Sequence, residues 1–315
     1  MKAKNLLVSA ILIFFAVAVI AFPQKYVSAC FEGFGLWAES VLPSLFPFMI
    51  VTALLIKIGA AEVASKPFVR ACKKLKLPSA AAPLFAMSAC SGYPAGSRMV
   101  SEYYANGLIS ENDCKKLAPL CSVAGPLFIT GTVGYRAFGG GTAGVKLMCA
   151  CLLSVLSTSL FYCLLSKQKQ VENKPLPLAV KSRDALYESF YGSVIAVCLA
   201  GGYIAFFFTL SRVLTDFKIL SPLSFALSPL IGKECAAAFV GGLCEATGGC
   251  FALAKAGGFF ALPLAGFLIT FGGASIIAQQ AGYLNKCNVK TGFFTLFKLL
   301  QGVVCFALLC LFSLF

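Results

Sequence analysis

Long apolar runs alternate with short basic stretches along the chain. The first apolar run covers residues 6–22 and follows Lys2 and Lys4. It resembles a signal peptide, but it is long for one and shows no clear small-residue cleavage pattern. It is read as an uncleaved transmembrane helix with its N-terminus inside. Residues 23–40 are mildly amphipathic and carry Trp37, an aromatic suited to a membrane interface. Residues 41–59 form the second span, with Pro43 and Pro47 in its first turns. A basic stretch follows at 62–77, with Lys66, Arg70, Lys73, Lys74 and Lys76, and reads as a cytoplasmic surface helix. Two crossings from an inside N-terminus return the chain to the cytoplasm, so charge and crossing count agree.

The pattern then changes. Residues 87–100 read MSACSGYPAGSRMV, with a helix-compatible run on either side. Gly92 and Gly96 permit backbone closed to other residues, and Pro94 disfavours a helical Tyr93. The helix should break here and restart near Ala95. Neither arm reaches the ~20 apolar residues that a crossing helix needs. A re-entrant hairpin or a discontinuous helix is expected over 80–107. Broken backbone at membrane depth must be buried in protein or line a wet cavity. Residues 109–125 open with Ser110 and Asp113, spaced as a capping box. GPLFITGTVG at 125–134 is a second glycine-punctuated stretch, and 145–165 is a plain span. Residues 167–183, KQKQVENKPLPLAVKSR, are polar, basic and proline-containing, and read as a cytoplasmic linker.

The second half repeats the order. A span at 187–210 precedes a proline-marked segment at 220–231, with Pro222 and Pro229. Residues 233–258 form a second broken element, with glycines at 241, 242, 248 and 249 around Glu245. LITFGGASIIAQQ at 268–280 is again apolar and punctured by glycines, and 293–315 closes the chain. Such matched interruptions are the best sequence pointer to a transporter binding site. The expected fold is an all-α polytopic membrane protein of transporter-like design. It has two repeats, each with a glycine-broken re-entrant hairpin or discontinuous helix. The division is an N-terminal helix and interfacial segment at 1–40, a first repeat at 41–166, the linker at 167–183 and a second repeat at 184–315.

Composition supports this reading. The chain of 315 residues is 59% hydrophobic and only 12% charged, far from a soluble domain. Its net charge of +14 comes from Lys and Arg between the apolar runs. That is the positive-inside bias, and no aromatic-basic nucleic-acid module accompanies it. There is no histidine, which excludes Ser–His and Cys–His catalytic pairs. Most cysteines sit inside apolar runs without a CxxC pair, which argues against a disulfide scaffold or zinc site. No phosphate loop of the GxxxxGK[ST] form is present. The expectation is a protein that is not an enzyme, with no cofactor and no metal.

Candidate substrate-binding residues cluster at the breaks: Ser91, Gly92, Tyr93, Gly96, Ser97, Arg98 and Gly125 in the first half, and Glu245, Thr247, Ser275 and Gln279 in the second. Arg98 lies where free N–H groups and the helix dipole favour an anion. It either anchors substrate or pairs with Glu102, four residues on. Glu245 is the most isolated acid in an apolar region. It either carries a coupling proton or neutralises Arg98 across the repeat interface. Gln280 stands beside Gln279 as a further polar group.

PSLFPFMI (43–50), SGYPAGSRMVSEYY (91–104), GPLFITGTVG (125–134), GLCEATGG (242–249) and FGGASIIAQ (271–279) resemble the YlbJ/SpoVV sporulation integral membrane protein family. The resemblance runs from about residue 40 to the end. It implies a nucleoside-recognition gate domain and a transporter-like protein of spore-forming Firmicutes, moving dipicolinic acid from mother cell to spore. It also implies a place in the bacterial cell membrane, specifically the mother-cell-derived spore membrane. Expected partners are the lipid bilayer, a small anionic substrate, and a second copy or other sporulation membrane proteins, with no nucleic acid. Secondary or passive transport is expected. The competing readings are a nucleoside or other small-metabolite transporter, and a non-transporting membrane scaffold.

Overall fold

The computed structural model describes residues 3–60, 63, 66–166 and 184–314, and they form helices and connecting turns. The expected linker at 167–183 lies outside the described residues. In chain order the helices are α1 (Ala3–Ala21), α2 (Pro23–Leu36), α3 (Leu42–Lys57), α4 (Val69–Lys74), α5 (Ala81–Ser91), α6 (Ala95–Ala105) and α7 (Glu111–Leu120). A π-helical segment (Phe128–Ala137), α8 (Ala143–Leu165), α9 (Ala185–Asp216), α10 (Ser221–Ile231) and α11 (Lys233–Gly242) follow. The chain ends with α12 (Ala246–Ala256), α13 (Ala261–Phe271), α14 (Gly273–Leu284) and α15 (Thr291–Phe312). Among the described residues, five stretches are long and apolar enough to cross a membrane: Pro23–Lys57, Ala143–Leu165, Ala185–Asp216, Ala261–Cys287 and Thr291–Phe312. Phe31, Phe161, Tyr187, Phe225 and Leu296 point outward and exposed, as a surface solvated by lipid requires.

The chain does not pause at residue 40. A π-helical turn over Trp37–Val41 joins α2 to α3, giving one helix of 35 residues. The expected interfacial segment and the span at 41–59 are therefore one kinked helix. The kink follows from Pro43, which cannot donate to the carbonyl of Glu39. Arg136 Nη1 donates to that carbonyl at 2.6 Å, and Thr132 Oγ1 donates to the Ser40 carbonyl at 3.0 Å. The π-helical segment 128–137 is thereby tied to the kink.

Helix α9 lies antiparallel along this kinked helix. Tyr26 meets Asp216, Arg212 meets Glu32, and Lys57 meets Glu188 at the other end. Trp37, half-buried, lies against Gly201 and donates to the Val197 carbonyl at 3.0 Å. Its ring needs the flat helix surface that a glycine leaves. On the other side α8, α13 and α15 pack as a bundle. There Gly302 lies against Phe267, the close approach that small residues allow between membrane helices. The interrupted elements are α5 with α6, α7 followed by the π-helical segment, α11 with α12, and α13 followed by α14. Of these, α12 packs against α13 and the π-helical segment, while α14 packs against α6 and α9.

Candidate functional site

The first pair of interruptions is built from glycine and proline. Helix α5 ends at Gly92, whose φ of 77° belongs to the left-handed region. A methyl group there would overlap the backbone of Gly125, and one at Gly96 would overlap the carbonyl of Cys121. The Tyr93 N–H donates to the Val123 carbonyl at 2.8 Å. Helix α7 opens with the capping box that its sequence predicts, Ser110 with Asp113. It ends at Leu120, and the chain is unwound through Gly125. Pro126 has no N–H, so the Ser122 carbonyl has no helical donor. Lys298 Nζ donates to it instead at 2.7 Å. Gln301 Nε2 reaches the Pro119 carbonyl at 3.2 Å. Freed backbone groups at this depth must find such partners.

The second pair is closed by the backbone itself. The Ala274 N–H donates to the Leu243 carbonyl at 2.8 Å, and the Ser275 N–H to the Cys244 carbonyl at 3.0 Å. Gly272, with φ of 94°, turns α13 into α14. Glu245 caps α12, accepting from the Thr247 N–H at 3.0 Å and the Gly248 N–H at 2.6 Å.

Two side chains tie the pairs together. Tyr93 Oη donates to the Ile269 carbonyl at 3.4 Å, and Ser97 Oγ to Gln280 Oε1 at 2.7 Å. Where they meet lies a cavity of about 20 Å³, room for about one water and not for an organic molecule. Tyr93, Gly125, Phe128, Thr247, Ile276 and Gln279 face it, with Leu45 and Ala200 from the long helices behind. Tyr93, Gly125, Phe128, Thr247 and Ile276 lie at or near the starts of α6, the π-helical segment, α12 and α14, while Gln279 lies midway along α14. Four positive helix ends therefore converge on one small space. Glu245 answers one of them.

Beyond Gln279 a second cavity, of about 210 Å³, runs between α9 and α14 past Ala200, Tyr203 and Tyr283. Tyr283 also borders a third, of about 320 Å³, with Arg98, Glu102, Gly192 and Lys286. Arg98 turns away from the break toward this outer cavity. Its Nε donates to Glu102 at 2.8 Å and its Nη1 to the Gly192 carbonyl at 2.7 Å. A side chain at Gly192 would collide with the guanidinium. On the far side a groove of about 600 Å³ holds Glu245, Glu32 and Arg212. Arg212 stands 212 − 192 = 20 residues along α9 from Gly192, about 30 Å by helix rise.

The sequence-predicted residues thus divide. Tyr93, Gly125, Thr247 and Gln279 line one cavity. Ser275 is at 3.4 Å from Gln279. Gly92 and Gly96 are packing contacts. Ser91 Oγ donates back to the Met87 carbonyl at 2.8 Å. Ser97 holds Gln280. Neutralisation of Arg98 by Glu245 is not made: Glu102 pairs with Arg98, and Glu245 is occupied at its own helix start. Sequence reasoning missed Lys298 and Gln301. Lys298 is the only charge in an otherwise apolar span, and an intramembrane charge points to function by default. Among the described residues, no group of three metal-ligating side chains comes together.

The chain is similar to the sporulation integral membrane protein YlbJ of Bacillus subtilis (strain 168). The two are 27% identical over 333 residues, covering 96% of this chain and 81% of the relative. This is distant homology over nearly the full length. No family model matches the chain, and no solved structure matches it. With five long apolar helices, the chain is a multi-pass integral membrane protein of a bacterial membrane.

Proposed function

We propose that the chain is a transporter of a small organic anion, dipicolinate in the first instance, working at sporulation by secondary or passive transport. The observation that carries this reading is the convergence of helix starts on the cavity faced by Tyr93, Gly125, Thr247 and Gln279. Helix N-termini favour anions, and broken helices meeting at the middle of a membrane protein are the usual transporter device. The homology to a sporulation membrane protein supports the setting, and with it the mother-cell-derived spore membrane.

In this reading residues 41–166 and 184–315 are two repeats joined by the linker 167–183. The matched backbone links support it: Tyr93 to Val123 in one half, Ala274 to Leu243 in the other. Arg98 and Lys286 form the mouth, and the cavities past Tyr283 and Tyr203 form the route inward. Lys57, Lys115 and Lys116 belong to the basic, cytoplasmic end with that mouth. The site as it stands is too small for substrate, so the hairpin ends must part for it to bind. Glu245 and Glu102 are the candidate coupling acids, and Ser275 and Gln279 the candidate hydrogen-bonding groups.

A second reading has its own observation. The cavity lining is mostly apolar, and its polar groups, Thr247 and Gln279, are neutral, as suits a nucleobase. Uptake of labelled dipicolinate and of uridine in cells expressing the chain tests both. Dipicolinate uptake with a KM raised about tenfold in Arg98→Ala, at little change in kcat, is expected for a mouth residue. Uridine uptake alone, unaffected by Arg98→Ala, selects the second reading. Uptake of neither by folded protein favours a scaffold.

A further inference from the structure

Lys298 is a buried lysine that the proposed route does not use. It is 1% exposed, in the middle of α15. Among the described residues it has no carboxylate partner. A buried charge without a counter-charge is costly, and it persists where neutral oxygens are arranged around it. Here they are. The Ser122 carbonyl, left free by Pro126, accepts from Nζ at 2.7 Å. On the same two elements, Ser122 Oγ and Gln301 Oε1 are buried and have no hydrogen-bond partner, Nζ included, so they are oxygens that a free cation could recruit. The titratable groups that face Lys298 are the thiols of Cys151 on α8 and Cys305 on α15. Unwound backbone carbonyls are the groups with which transporters hold a coupling cation, and here the orphaned Ser122 hydroxyl and the Gln301 amide oxygen of α15 stand by the same segment.

We propose that the Lys298 ammonium is a tethered cation, standing where an ion-coupled carrier would bind Na⁺. It holds segment 121–125 in its unwound form, so the protein needs no metal ion for that purpose. A simple helix cap would stabilise the fold equally, but its loss would not create a demand for small cations. That difference is measurable.

The test uses the purified full chain. Thermal unfolding in detergent is compared in NaCl, KCl and choline chloride at equal ionic strength. Wild type should unfold at the same temperature in all three. Lys298→Ala should unfold lower in choline and recover by at least about 2 °C in Na⁺ or K⁺, by mass action of a cation entering the vacated position. Lys298→Met keeps the stem, fills the space and should show no recovery. Equal Tm of Lys298→Ala in all three salts overturns the proposal. So does wild-type stability from Lys298→Met, or a Na⁺-specific rise in wild-type Tm. Should Lys298→Ala not fold in choline, purification in NaCl or KCl is expected to rescue it, and failure to fold in every salt overturns the proposal. The uptake arm rests on the transport reading: wild-type dipicolinate uptake into liposomes should be equal in Na⁺ and choline, and Na⁺ dependence overturns the proposal. Absence of any uptake, with cation recovery in Lys298→Ala intact, overturns transport and supports the tethered cation.

Discussion

The two interrupted regions solve one problem in different ways. In the first half the break around 121–125 is followed by Pro126, which removes a donor. Its carbonyls are served from outside, by Lys298 and Gln301 on α15. In the second half the break at Gly272 keeps every N–H, and α14 donates directly to the carbonyls of Leu243 and Cys244. A proline break must borrow polar side chains from a neighbouring helix. A glycine break can be closed by the backbone alone. The first region is thus tied to a third element, α15, and the second is largely self-contained, with one outside side chain each on the Gly241 and Ile269 carbonyls, Ser211 of α9 and Tyr93.

Substitutions can break or sharpen this contrast. The largest effect is expected at Gly96, where a side chain would collide with the Cys121 carbonyl and the Ser88 side chain. Gly96→Leu should cost about 3 kcal/mol or more, read as loss of the folded peak in detergent chromatography. Recovery of wild-type folded protein would show that the first break tolerates separation. Next, Glu245→Ala leaves two buried N–H groups without an acceptor, about 2 kcal/mol by thermal unfolding. Glu245→Gln, which keeps one acceptor, should lose about half of that. Equal loss in both would mean that the charge, not the cap, matters. The smallest effect is expected for Gly272→Ala, at about 1–2 kcal/mol for a left-handed residue, with Ile276 yielding to the added methyl. A neutral result would remove Gly272 as the reason for the self-contained break.

The interruptions themselves were readable from residues. Glycine and proline in apolar runs at 92–96, 125–126, 241–249 and 272–273 mark where the helices stop. The Ser110 cap likewise marks where α7 starts, because caps and breaks depend on local backbone chemistry. Pro43 and Pro47 read first as the start of a second span, and the bend within one long helix was not legible. Whether a proline ends a helix or bends it depends on donors from elsewhere, here Arg136 and Thr132.

The amino-acid pattern by itself determined a multi-spanning helical membrane protein, the positions of its breaks and a group of polar residues beside them. Hydropathy, glycine and proline act over a few residues, so they are legible along the chain. Tertiary structure alone decided which of those residues share a cavity. Tyr93 and Gln279 meet across 186 positions, 279 − 93 = 186, while Arg98, five residues from Tyr93, faces a different cavity. It also decided the partner of Lys298, 176 residues away at Ser122. Which face of a helix meets which neighbour is set by packing among distant segments, and no local signal encodes that.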